Sequence, residues 1–109
     1  MNIHIAEPQS YRWEDFPETI HPGEKGQVAI REILEGDIRL RLAQYSPGYE
    51  ADHWCVKGHV VHVLEGQVFL EHLDGESMVL QAGMIYMVGD DRQPHMVRTL
   101  RAARLFILD

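Results

Sequence analysis

The stretch Asp52–Gly66, DHWCVKGHVVHVLEG, decides how this chain is read. It sets His53, Cys55, His59 and His62 close together and ends in a Glu65-Gly66 turn signal. In an extended chain, side chains two apart share a face. His53 and Cys55 are therefore expected to point one way, with Trp54 opposed to them. In HVVHVL, His59, Val61 and Val63 form one face, and Val60, His62 and Leu64 form the other. His62 is thus expected to stand apart from His59, as a sheet or subunit-contact residue. Lys57-Gly58 reads as a bend that carries His59 over His53 and Cys55. Two imidazoles and a thiol then converge, a donor set suited to one borderline-soft cation. His95, after Gln93-Pro94, is the expected fourth donor.

Outward from this stretch the pattern is period two. QVAIREIL reads as a strand, Glu35-Gly36 as a tight turn, and DIRLRLAQYS as an alternating strand. Its two faces are Ile38, Leu40 and Leu42 against Arg39, Arg41, Ala43 and Tyr45. The arginine face can reach a carboxylate ligand, but a solvated sheet face is the ordinary expectation for such a pattern. Ser46-Pro47-Gly48 turns the chain into the histidine stretch. Beyond it, GQVFLEHL is expected to pair with HVVHVL as a hairpin across Glu65-Gly66, and Asp74-Gly75 marks a second hairpin. SMVL, MIYMV, HMVRTL and ARLFIL read as further short strands. Residues 1–26, interrupted by Pro8, Pro17 and Pro22, form an irregular segment holding at most one helical turn capped by Ser10. Trp13 and Phe16 are expected to plug an apolar face, while His4, His21 and His72 read as surface residues. Many short strands separated by turn signals, with no long helix, indicate an all-β sandwich or barrel. A barrel of this size encloses packed side chains or one small ligand.

The 109 residues suit one domain, 1–109, with an ordinary 45% apolar and 25% charged composition. A formal net charge of −7 argues against a nucleic-acid partner, and the local basic run RTLRAAR is diluted by Leu100 and two alanines. No apolar run suits a membrane span, and MNIHIAEPQS lacks a signal-peptide layout, so a cytoplasmic location is expected. Cys55 is the only cysteine, which excludes an intrachain disulfide and leaves it a ligand, a reactive thiol or a small buried apolar group.

The same residues resemble the cupins, small double-stranded β-helix or jelly-roll barrels. Their first motif, G-x5-H-x-H-x3,4-E-x6-G, is matched by His53-x-Cys55-x3-His59-x6-Gly66. Their second, G-x5-P-x-G-x2-H-x3-N, is matched loosely by Gly83 and His95. Asp52-His53-Trp54-Cys55 with Lys57-Gly58-His59 is similar, more narrowly, to the small cupins named for a DHCW motif, with the last two letters transposed. The likeness runs from about Arg39 to Asp109. It departs where Cys55 stands for the second histidine and His59 for the glutamate, where Gly48 lies one position closer to His53, and where Thr99 replaces the asparagine. All four metal positions still carry donors.

The resemblance implies a cupin barrel with a metal held by His53, Cys55, His59 and His95, the thiol shifting preference toward Zn²⁺ or Fe²⁺. It implies a small polar metabolite as partner, either turned over by a dioxygenase, isomerase or lyase, or bound and sensed without turnover. Asp90 and Asp91 could orient a ligand histidine, although two acidic residues in a turn are usually solvated. Tyr86 and Met84, on one face of MIYMV, are candidates to line the cavity, with core packing the default for Met84. A homodimer is expected, with Val28, Ile30 and Ile33 offered near a sheet edge.

Overall fold

The computed structural model describes residues 2–109. Among these, nine strands and one 3-10 turn, Trp13–Asp15, make up the regular structure. The strands are β1 Thr19–Pro22, β2 Gln27–Glu35, β3 Ile38–Tyr45, β4 His59–Glu65, β5 Gln67–His72, β6 Ser77–Gln81, β7 Ile85–Val88, β8 His95–Arg98 and β9 Ala103–Leu108. They form a six-stranded sheet in the order β1-β2-β3-β9-β4-β7 and a three-stranded sheet in the order β6-β5-β8. All strand pairings are antiparallel. No helix is long and apolar enough to cross a membrane.

The alternating sequence dictates which side chains fill the space between the sheets. Ala43 on β3, Leu105 on β9 and Val63 on β4 stand side by side in one inward row. Val68, Leu70 and Leu80 from the smaller sheet meet them in a common apolar core. Each buried valine or leucine among them contributes roughly 1.5–3 kcal/mol by leaving water. The outer face of the large sheet is apolar too, with Leu42 beside Phe106. The N-terminal segment crosses it. The ring centroids of Trp13 and Phe106 lie 6.3 Å apart, Arg31 donates to the carbonyl of Phe16, and Tyr11 donates to Glu35 at 2.6 Å.

Several expectations are corrected. The Glu65-Gly66 turn makes no hairpin, because β4 pairs with β7 and β9 while β5 pairs with β6 and β8. Gly66 instead passes the chain from one sheet to the other. Its φ of 75° is left-handed, and a Cβ there would stand 2.6 Å from the Ala102 carbonyl oxygen. That geometry admits glycine alone without strain. Asp74-Gly75 does close a hairpin, joining β5 to β6. The N-terminal segment includes a strand, β1, and its short turn has Arg12 at the N-cap position without a side-chain cap, in place of Ser10. Finally, Arg39 and Arg41 do not face solvent. They share the inward face with buried Ala43 and Tyr45, while Leu40 and Leu42 take the outer face beneath the N-terminal segment.

Candidate metal and ligand site

One end of the sandwich is polar, and register explains it. Arg39 on β3 exchanges backbone hydrogen bonds with Asp109, and the pairing of Val60 with Leu108 places His59 on the other side of Asp109. Arg39, Asp109 and His59 thus form the last inward row, beyond the row Arg41, Ile107, Val61 and Tyr86. A cavity of about 790 Å³ opens here, lined by residues that include Arg39, Arg41, Tyr45, Cys55, His59 and His95.

Three of the four expected donors meet in this cavity. A nitrogen of His59, a nitrogen of His95 and the Cys55 Sγ all lie within 4.8 Å of one another. The strand expected through His53 and Cys55 is absent. Cys55 makes an isolated antiparallel bridge to His95, with N–H···O distances of 2.8 and 3.0 Å. That bridge, joining residues far apart in sequence, brings the sulfur to the imidazole. His53 sits outside the group: its side chain is 77% exposed and its Nδ1 lies 2.6 Å from Asp52 Oδ1. The residues also line the same cavity, so His53 stands near its mouth. His62, as the alternation requires, points away and pairs across to Ile85 and Phe106.

The loop before β4 is held by Asp90, whose Oδ1 accepts from the Gly58 N–H at 2.6 Å. Its role is to fix the backbone leading into His59. A Cβ at Gly58 would come within 2.6 Å of the Asp90 nitrogen and 2.8 Å of the Gly89 carbonyl carbon, so glycine is required by close approach of two backbones. Asp91 adopts a left-handed φ of 55° and donates its N–H to the Val56 carbonyl.

The two imidazoles are in a proton conflict that a cation resolves. His95 is 3% exposed, and its Nδ1 lies 2.9 Å from the Gln93 carbonyl oxygen. A carbonyl can only accept, so Nδ1 carries a proton, and in the neutral ring Nε2 presents a lone pair. The His59 Nε2 lies 2.8 Å from that Nε2. Burial, then the closeness of the His95 ring and the positive charge of Arg41, push the His59 pKa down against the pull of Asp109, which favours the neutral ring with one N–H to place. If it goes on Nε2, the bare Nδ1 lone pair faces the Asp109 carboxylate, 3.5 Å away. If it goes on Nδ1, two Nε2 lone pairs collide. Nδ1 is buried and makes no hydrogen bond among the described residues. Such an orphan costs about 1–3 kcal/mol. A cation held by His59 and His95 through these nitrogens would remove the conflict, leaving the His59 proton on Nδ1, turned to Asp109. The residues therefore fit a metal ion, and two nitrogens with a sulfur suit Zn²⁺ or Fe²⁺ over Mg²⁺.

Asp109 is the residue that the sequence reading missed. Its side chain is 3% exposed and takes two hydrogen bonds from Arg39, each 2.7 Å, and one from Arg41 at 3.1 Å. Burial alone would raise its pKa, but the hydrogen bonds from Arg39 and the charges of both arginines hold it below the usual carboxylate range. Period two was signal enough: positions 103, 105, 107 and 109 share the inward face. Tyr86 also faces inward, its hydroxyl 2.8 Å from His72 Nε2; the partly buried His72 is thus tied to the interior rather than free at the surface.

Comparison with solved structures defines the class. Ectoine synthase from P. lautus superposes with a TM-score of 0.75 over 93% of this chain and 76% of that one, at 18% identity. An RmlC-like cupin from Shewanella frigidimarina NCIMB 400 gives 0.73 over 94% and 89%, at 18% identity. A cupin-2 domain from Rhodospirillum rubrum gives 0.72 over 97% and 76%, at 16% identity. The chain has the cupin fold. No family model matches the sequence, and no curated protein matches it.

Proposed function

We propose that this cupin-fold chain binds a divalent metal, Zn²⁺ or Fe²⁺, through Cys55, His59 and His95 and presents it to a small polar metabolite in the barrel. The observation that carries the reading is the pair of Nε2 atoms 2.8 Å apart, one of them on a ring whose far nitrogen is orphaned beside a carboxylate. The ion would supply Lewis acidity to a bound oxygen or carbonyl. The protein's own part is to fix both ring orientations through Gln93 and Asp109, and to hold His59 neutral by burial. Three donors leave room for a water or metabolite on the ion, which a dioxygenase, isomerase or lyase needs and a closed structural site lacks. Binding or sensing without turnover is the alternative use of the same arrangement. The DHWC sequence at Asp52–Cys55 supports kinship with the DHCW-motif cupins.

A cytoplasmic location goes with this reading, since the single cysteine is a free thiol and such thiols persist in reducing compartments. So does a homodimer. Val28 and Ile33 are buried and Ile30 packs against the core, so the surface we assign to a second copy is the edge strand β7, where Ile85 and Met87 are 61% and 71% exposed.

Elemental analysis of protein purified without chelator tests the metal. Near-stoichiometric Zn or Fe is expected, with chelation markedly raising the alkylation rate of Cys55 and Cys55→Ser lowering ion content. Metal-free protein with a chelator-indifferent thiol would overturn the reading.

A further inference from the structure

Beyond the three donors, the polar end of the cavity contains a cation with unused hydrogen-bonding capacity. It follows from the alternation of β3, which sends both arginines inward. Arg39 is the better engaged of the two: its Nε and Nη2 form a fork on Asp109 at 2.7 Å each, and its Nη1 lies at ion-pair distance, 3.8 Å, from Glu32. Arg41 is less so. Its one hydrogen bond to a protein acceptor among the described residues runs from Nη2 to Asp109, at 3.1 Å. The side chain is 18% exposed, and its Nε is buried without a partner. A guanidinium N–H left unpaired in a buried place costs about 1–3 kcal/mol, a cost that a ligand's acceptor would remove. Two carboxylates face the two guanidiniums, Asp109 hydrogen-bonded to both and Glu32 3.8 Å from Arg39 Nη1, so it is the unpartnered Arg41 Nε, not a surplus of charge, that calls for an acceptor. Besides Glu32, the cross-strand neighbour of Arg41, the cavity wall here is apolar or aromatic, from Val28, Ile30, Tyr45, Val61 and Leu70. An apolar pocket with a few directed polar groups is the usual form of a small-molecule site, and a planar guanidinium matches a carboxylate.

We propose that Arg41 anchors the carboxylate of the ligand, so that the cavity takes a small organic acid with an apolar body. The proposal rests on the reading of this cavity as a ligand site, and it does not require the ion. Asp109 joins the two parts: its Oδ2 lies 3.1 Å from Arg41 Nη2 and 3.5 Å from His59 Nδ1. An acid seated on Arg41 therefore lies within a residue's breadth of the donor cluster.

Benzoate and its neutral counterpart benzamide serve as probes, with binding followed through the Nε–H resonances of the arginines. Each titration is run on metal-loaded and on chelator-treated protein. Benzoate is expected to shift the Arg41 Nε–H resonance in both forms and to bind at least about tenfold more tightly than benzamide, the factor that one charge-assisted hydrogen bond supplies. Arg41→Gln should abolish that preference, and Arg41→Lys should restore part of it. Equal affinity for the two probes, or an Arg41 resonance unmoved at saturating benzoate, would overturn the proposal. So would benzoate binding that vanishes with the ion, since the carboxylate would then sit on the metal. The resonance is read in the unaltered protein, so a poorly folding variant does not spoil the test. Ion content separates the two readings. Metal-loaded protein whose Arg41 ignores benzoate loses the acid subsite and keeps the metal, whereas metal-free protein that binds benzoate through Arg41 does the reverse.

Discussion

Asp109 is where the chemistry of the site is most concentrated at the scale of a single residue. It gathers Arg39 and Arg41 on one side and faces His59 Nδ1 on the other. A carboxylate behind a ligand histidine fixes its tautomer and raises its basicity, and losing one typically weakens metal affinity about 10- to 100-fold. Asp109→Asn should show a loss of that order in competition with a chelating dye. Unchanged affinity would mean that Asp109 only pairs the arginines. Gly58 gives a second expectation. A methyl group there meets backbone atoms of residues 88–90, which cannot yield as a side-chain tip could. Gly58→Ala should cost about 1–3 kcal/mol, as overpacking does, and should lower the denaturation midpoint. That His59 and Cys55 come together was legible from residue type and spacing alone. The placement of His53 was not, because its pairing with Asp52 depends on a bend that leaves no mark in the sequence pattern. Arg41 was legible as a position but not as a face, since both faces of β3 are covered, one by the barrel interior and the other by the N-terminal segment.

Among the elements, the strands themselves followed from alternation, and their partners did not. DIRLRLAQYS and ARLFIL announce strands by period two, yet nothing in either says that β9 lies between β3 and β4. The DG turn at Asp74-Gly75 did specify its hairpin, because the turn chemistry is local. The EG step at Glu65-Gly66 looked the same and instead changes sheets, a choice made by packing against Ala102 and Ala103. The N-terminal segment gives a prediction at this scale. It covers Phe106 through Trp13 and is tied to β2 through Phe16 and Tyr11. Deleting residues 2–16 should expose an apolar strip, increase binding of a hydrophobic dye and lower Tm. A truncated chain with unaltered Tm and no dye binding would show that the segment is a passive appendage. Trp13→Ala should reproduce part of the effect, about 3 kcal/mol at most given that Trp13 is only partly buried.

For the whole molecule, a polar end is separated from an apolar remainder, and the proposed site and the proposed contact between copies fall on different parts of it. The site lies at one end of the sandwich, while the proposed contact between copies runs along the β7 edge. Light scattering at micromolar concentration should give about twice the 12.6 kDa chain mass. Met87→Glu, which puts a charge on that edge, should return the protein to a monomer without changing its metal content. A wild-type monomer would remove the dimer from the picture. Turnover and retention also separate at this scale. In Co²⁺-substituted protein, a small anion such as azide should perturb the visible spectrum if the ion keeps an exchangeable position. An indifferent spectrum would point to a closed site.

The position of β9 has a consequence for how the protein is made. It occupies the middle of the large sheet, flanked by β3 and β4, yet of the nine described strands it is the last in chain order, made after both of its neighbours. Until it emerges, β3 and β4 each present an unpaired, apolar edge, and neither Arg39 nor His59 has its neighbour. Contacts that close only across so many residues are slow to form and leave nascent chains prone to association. Synthesis should therefore yield a protease-sensitive nascent chain until β9 clears the exit tunnel, after which resistance and metal uptake appear together. Ribosome-stalled chains of increasing length, probed by limited proteolysis, would reveal that single late step, and gradual acquisition of resistance would contradict it.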